Sequence, residues 1–260
     1  MDSTVKKVVE FCMFVICILF ILYLFLAHLV QQGKADLSTQ IQYQKDIRSL
    51  TDLVDHTVAR GVVVYDLNSG TILAAKNIDH KYSLASLTKI VTATLVYEKD
   101  KNKLNEIRAM LKVSDNAEAD RLATIFGADT DTQAYYMNQR VKVFDLYFRN
   151  ASGLDTEDGF PGGEGKPVNI LNVIKYAYLN YPEMFDQTIK PDGNTNAIVN
   201  NLSFLSGSKT GFTFLSGGNL FVTIQKGLNR EIIILVLNST EESRFVDVQH
   251  IADFLLQSSI

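Results

Sequence analysis

In the segment "YSLASLTKIV", residues 82–91, a serine hydroxyl and a lysine amine stand three positions apart, Ser86 and Lys89, among small and apolar residues. Positions three apart on a helix share a face. A serine hydroxyl is a poor nucleophile at neutral pH and needs a neighbouring base. A lysine amine can be that base only when neutral, which apolar burial and a nearby second cation both favour. On an exposed face the same lysine would simply lay its stem along the helix. Ser-x-x-Lys occurs three times in the chain, at Ser3/Lys6, Ser86/Lys89 and Ser206/Lys209. The first precedes a long apolar run. The last runs into a strand pattern, where positions three apart point to opposite faces. Ser86/Lys89 alone reads as helical, at a helix start where free N–H groups and the positive dipole end meet the serine.

Two further clusters follow in order, Ser114-Asp115-Asn116 and Lys209-Thr210-Gly211. The first is also what a helix N-cap requires. Together with Ser-x-x-Lys, in this order, they form the signature of penicillin-binding proteins and class A β-lactamases. The opening "GVVVYDLNSGTILAAKNIDHKYSLASLTKIVTA" and the later "NASGLD", "NTNAIV" and "KTGFTFLSGGNL" extend the likeness over roughly residues 59–255. The chain resembles the low-molecular-weight penicillin-binding proteins, the D-alanyl-D-alanine carboxypeptidases of serine peptidase family S11.

That resemblance implies roles residue by residue. Ser86 is the nucleophile, Lys89 the general base, and Ser114 the relay of the proton to the leaving amine. Asn116 holds the substrate amide. Lys209 supplies positive potential, and Gly211 lets the substrate backbone approach. The backbone N–H groups of Ser86 and Phe212 form the oxyanion hole. Thr210, Thr213 and Arg244 bind the terminal carboxylate of the peptide, a guanidinium being able to bond it in two places. The partners implied are a peptidoglycan stem peptide ending in D-Ala-D-Ala and, as covalent inhibitors, β-lactams. One departure is the short interval of 28 positions between Ser86 and Ser114. It motivates a rival reading, a membrane-anchored peptidoglycan-binding scaffold with weak turnover, beside that of an endopeptidase cutting cross-links.

Other chemistries fit less well. The Glu-x-x-Leu-Asn loop of a class A β-lactamase has no match, since Glu164 is followed by Gly165, Lys166, Pro167 and Val168. His28, His56, His80 and His250 are scattered, and Cys12 and Cys17 both lie in the apolar N-terminal run, so no metal site is expected. No cofactor is implied. A net charge of −4 without a Lys/Arg-rich run gives no reason to expect nucleic acid.

Around these residues the pattern predicts two strands across "LNSG" (67–70), then a nearly all-round apolar helix in "SLTKIVTATLVYEKD". It predicts helices on both sides of residues 114–116, two more amphipathic helices, three C-terminal strands and a closing helix. Strands at both ends with helices between them imply an α+β fold. Its antiparallel sheet is built from N- and C-terminal strands, flanked by helices with an inserted helical lobe, as in DD-peptidases and β-lactamases. One transmembrane helix precedes it. Residues 11–30, "FCMFVICILFILYLFLAHLV", are long enough to cross a bilayer, and Lys6 and Lys7 before them predict a cytoplasmic N-terminus. A cleaved signal peptide is the competing reading, disfavoured by the length of the run. The expected organisation is a cytoplasmic tail (1–10), an anchor (11–30), a juxtamembrane spacer helix (31–56) and an extracytoplasmic catalytic domain (57–260).

Overall fold

The computed structural model describes residues 3–202 and 204–260, without the side chains of residues 3–12, 16 and 17. The tail expected over residues 1–10, and the thiols of Cys12 and Cys17, therefore lie outside the described side chains. The first helix, α1, runs Ser3–Asp55. Strands β1 (Gly61–Asp66) and β2 (Thr71–Lys76) follow. Their turn is closed by Asp66, whose carboxylate accepts from the N–H groups of Asn68 and Ser69 at 2.9 and 3.2 Å. Strand β3 (Tyr82–Ser83) leads into a 3-10 turn, Ala85–Leu87, continuous with helix α2, Thr88–Lys99.

Helices α3 (Leu104–Val113) and α4 (Asn116–Ala123) meet at the expected break. Ser114 ends α3 in the left-handed region, φ 60°, and Asp115 caps α4 by accepting from the Glu118 N–H at 3.0 Å. Then come α5 (Thr130–Val141), β4 (Tyr147–Phe148), β5 (Gly163–Gly165) and α6, Pro167–Asn180, which opens on proline. Strands β6 (Leu205–Thr213), β7 (Gly217–Gln225) and β8 (Glu231–Ser239) and helix α7 (Ser243–Gln257) complete the chain.

The main sheet is antiparallel with order β2-β1-β8-β7-β6. Its two halves join at β1 and β8, where Val62 faces Val236 and Val64 faces Ile234. The uninterrupted apolar run of β8 has its reason here, because the strand is central and covered on both faces. Ile233, Leu235 and Leu237 turn into a core shared with Val63 on β1, Ile90 and Val91 on α2, Leu111 on α3 and Ile174 on α6. Ile234 and Val236 point to the opposite face, where α7 packs with Val248, Ile251 and Leu255 buried. The result is the expected α+β arrangement, with a helical lobe between the two sets of strands. A second small sheet, β3-β5-β4, was not foreseen, since two- and three-residue strands leave no periodicity to read. Every residue of α2 from Thr88 to Tyr97 is buried, which makes it the central helix.

The chain divides into two compact units, Met1–Asp46 with Ser259–Ile260, and Ile47–Ser258. In the first, α1 is long and apolar enough to cross a membrane, and side chains such as Phe14, Leu19, Phe20 and Phe25 are exposed. The second holds all of the candidate site. Leu50 and Val54, assigned from sequence to the juxtamembrane segment, are fully buried within it. Leu50→Ala is expected to lower the unfolding free energy by about 2–5 kcal/mol, measured by denaturant titration of the full chain in detergent micelles. A change below about 0.5 kcal/mol would mean that this turn of α1 does not belong to the core.

Candidate active site

Three elements converge. The turn before α2 brings Ser86, and the first turn of α2 brings Lys89. The α3–α4 junction brings Ser114 and Asn116, and β6 brings Lys209. Ser86 is not on α2 itself, as the spacing predicts, but in the 3-10 turn in front of it. Ala85, just before it, has φ 45°, a left-handed conformation uncommon for a residue with a Cβ.

Lys89 is fully buried, and its Nζ lies 2.9 Å from Ser86 Oγ, 2.6 Å from Asn116 Oδ1 and 2.6 Å from the Ser152 carbonyl oxygen. Burial lowers its pKa from 10.5 to about 8, against the opposing pull of the Asp120 and Asp115 carboxylates. A neutral amine has two N–H groups and one lone pair. The carbonyl oxygens of Asn116 and Ser152 can only accept, so they take the two N–H groups and leave the lone pair facing the Ser86 hydroxyl. This arrangement can remove a proton from Ser86.

Lys209, also buried, donates from Nζ to Ser114 Oγ and to the Thr210 carbonyl, each at 2.7 Å. Burial holds its pKa well below the usual lysine value, and the neighbouring Lys89 and Arg244 cations lower it further. Gly211 lets β6 approach the nucleophile turn: a Cβ there would stand 3.1 Å from the Leu84 carbonyl oxygen and 3.2 Å from the Ser86 nitrogen.

The residues expected to hold a carboxylate are engaged within the protein. The Thr210 hydroxyl is 2.5 Å from that of Thr195, and the Thr213 hydroxyl donates to Asp155 Oδ1 at 3.0 Å. Arg244, at the start of α7, is buried and donates from Nη1 to the Gly211 carbonyl at 2.6 Å. Its Nε is buried with no hydrogen-bond partner among the described residues, a donor still to be matched. Phe212 is half-exposed on the same strand.

Sequence reasoning singled out Ser86, Lys89, Ser114, Asn116 and Lys209, and the structure brings them together. It did not single out Ser152, Asp155, Asp120 or Thr195. Ser152 acts through its backbone carbonyl, which no side-chain motif encodes. Asp155 and Thr195 lie in "NASGLD" and "NTNAIV", stretches already notable for their likeness to a family, and that was the only signal available. Among the described residues no group of His, Cys, Asp and Glu could hold a metal ion.

An antiparallel sheet with a central buried helix, and a serine–lysine pair at the helix start facing a lysine-bearing edge strand, define the penicillin-binding-protein fold. Penicillin-binding protein D2 of Listeria monocytogenes, solved in its ampicillin-bound form, superposes with a TM-score of 0.68 at 24% identity, covering 76% of this chain and 98% of that one. The family model described as D-alanyl-D-alanine carboxypeptidase, S11, matches residues 48–149. The D-alanyl-D-alanine carboxypeptidase DacF of Bacillus subtilis is 22% identical, aligned over 75% of this chain and 61% of its own length. The D-alanyl-D-alanine endopeptidase of Haemophilus influenzae is 24% identical over 77% of this chain and 82% of its own. Residues 48–149 thus match the S11 peptidase family model, and the chain as a whole shares the fold of the penicillin-binding proteins. It spans 61% of the length of the B. subtilis relative.

The nucleophile turn is held by a close glycine contact. At Gly153, φ +82°, an added Cβ would fall 2.0 Å from the Ala85 carbonyl oxygen. At Gly159, φ +85°, it would meet nothing within 4 Å. Gly159→Ala should cost only the backbone strain of about 1–2 kcal/mol. Gly153→Ala should cost more, by at least about 2 kcal/mol beyond that, in denaturant unfolding. Equal losses would mean that the approach to Ala85 carries no energy.

Proposed function

We propose that this chain is a membrane-anchored serine-type D-alanyl-D-alanine carboxypeptidase that removes the terminal D-Ala from peptidoglycan stem peptides. The observation that carries the reading is the Lys89 amine, buried with two obligate acceptors and its remaining position on Ser86 Oγ. The match of residues 48–149 to the S11 family model and the likeness to the ampicillin-bound Listeria protein support the substrate class, since a β-lactam acylates the serine that a D-Ala-D-Ala peptide would.

Neutral Lys89 takes the Ser86 proton as Oγ bonds to the carbonyl carbon of the penultimate D-Ala. The developing oxyanion meets the backbone N–H groups of Ser86 and Phe212. The C–N bond then breaks, and the departing amine receives its proton through Ser114, leaving Lys89 neutral again. Water attacks the ester carbon by the same base and restores Ser86. Asn116 keeps its amide N–H groups for the substrate while its oxygen serves Lys89. Thr210, Thr213 and Arg244 receive the terminal carboxylate once their internal partners yield. Residues 11–30 anchor the chain, with residues 1–10 in the cytoplasm and the peptidase unit outside. The H. influenzae relative favours a second reading on the same chemistry, endopeptidase cleavage of cross-links.

The full chain should be labelled by a fluorescent penicillin and should release D-Ala from a D-Ala-D-Ala pentapeptide. Ser86→Ala should abolish both signals, and labelling that survives would assign the nucleophile elsewhere. Release from a cross-linked dimer but not from the pentapeptide would select the endopeptidase. Because the neutral amine is the base and its pKa lies at about 8, acylation should rise with pH through that value. At pH 7 it should run about tenfold below its plateau. A rate flat from pH 6 to 10 would rule out Lys89 as the base.

A further inference from the structure

One of the two acceptors that orient Lys89 is a backbone carbonyl, so its aim depends on the plane of one peptide unit. Lys89 Nζ lies 2.6 Å from the Ser152 carbonyl oxygen. That carbonyl and the Gly153 N–H belong to the same planar trans unit and point in opposite directions. The N–H donates to Asn150 Oδ1 at 2.7 Å. The Ser152 hydroxyl donates to the same oxygen at 3.3 Å, and Asn150 Nδ2 donates to the Leu154 carbonyl at 2.8 Å. One residue earlier, the Ala151 carbonyl accepts from Thr92 Oγ1 at 2.7 Å. Thr92 stands three positions after Lys89 on α2, so successive carbonyls of this loop are seated on one face of that helix.

The backbone alone does little to choose the orientation of this plane. Gly153 has φ +82°, and glycine takes positive and negative φ about equally well. A half-turn of the Ser152–Gly153 plane would aim an N–H at the Lys89 amine, donor against donor. It would also remove one of the two acceptors that leave the lone pair for Ser86. The Asn150 side chain, wrapped back onto its own loop, accepts the N–H on the far side of the plane and opposes that turn.

We propose that Asn150 is a positioning residue that locks the Ser152–Gly153 peptide plane with its carbonyl on Lys89, and so keeps the lone pair of the amine on Ser86 Oγ. The inference rests on the reading of Lys89 as the base. Asn150 acts through one peptide unit and touches neither reacting atom. The charged groups facing Lys89 are Asp115 and Asp120 from the α4 side and Lys209 from β6, and removing the Asn150 side chain alters none of them. It loosens an acceptor that favours the ammonium form, so the Lys89 titration should move to lower pH. The neutral amine then becomes more abundant but less well aimed, two effects of opposite sign on the rate.

The test is fluorescent-penicillin acylation by the full chain in detergent micelles, with 13C-lysine NMR following the Lys89 titration. Asn150→Ala should lower the plateau acylation rate by about 10- to 100-fold. It should leave the dissociation constant of the non-covalent penicillin complex within about twofold, and move the Lys89 titration down by about half a pH unit. Asn150→Ser, whose hydroxyl can still accept from the Gly153 N–H, should recover much of the rate and return the titration toward its original position. If the alanine variant fails to fold, Asn150→Leu, close in shape and without an acceptor, reads the same quantities. An unchanged plateau rate, or a serine variant no better than alanine, overturns the proposal. So does a Lys89 titration that stays in place or rises, as it would if the loop merely loosened and admitted water. A wild-type chain that takes no penicillin, while its Lys89 titration falls in Asn150→Ala and returns in Asn150→Ser, would sink the peptidase reading and leave the positioning role standing.

Discussion

A primary amine without access to water is the constraint around which this molecule is built. Lys89 is fully buried, and the shift of its pKa from 10.5 to about 8 corresponds to about 3 kcal/mol against its charged form. A second buried lysine, Lys209, stands close by, and burial first and the Lys89 cation next hold its pKa well below the usual lysine value. Such an arrangement persists only where every N–H has an acceptor. Asn116 Oδ1 and the Ser152 carbonyl provide them for neutral Lys89, and Ser114 Oγ and the Thr210 carbonyl for Lys209. The acceptors that make the burial tolerable also decide where the amine lone pair points.

The fold supplies what such a cluster cannot supply for itself. Helix α2 is buried along Thr88–Tyr97, so its first turn is rigidly placed. The β6 edge strand comes up against the nucleophile turn because Gly211 has no Cβ to keep it away. On the other side Gly153 packs on the Ala85 carbonyl, and Ala85 holds its left-handed conformation between the two. Local strain of this kind survives because the surrounding packing over-determines it. Ser114 plays a double part, ending α3 with a positive φ while offering its hydroxyl to Lys209. The helix break and the chemical group are the same residue, so the break cannot drift along the chain without moving the chemistry.

Much of the scaffold was legible. The apolar run "EIIILVL" announced one of the three C-terminal strands, though not its central place, and the LNSG turn announced the β1–β2 hairpin. Ser114-Asp115-Asn116 marked a helix boundary whatever else it does. Leu50 and Val54 were less readable, because apolar positions at helical spacing look the same in a spacer as in a core helix. The small sheet that seats β3 beside β5 was invisible for its shortness. The Ser152 carbonyl could not be read at all, since every residue has one and only proximity makes it special.

Taken alone, the chain determined which groups are available: a serine and lysine at helical spacing, a serine-asparagine pair at a helix break, a lysine on a strand, and an apolar span long enough for a bilayer. Residue type and short-range periodicity are local properties, so they can be read from order alone. Only the tertiary structure decided that these groups meet, that two lysine amines lose contact with water, and that the Ser152 carbonyl stands against one of them. It also decided that Arg244 reaches the Gly211 carbonyl from a different helix. Burial and proximity depend on every element packed around a site, and for that reason no stretch of sequence contains them.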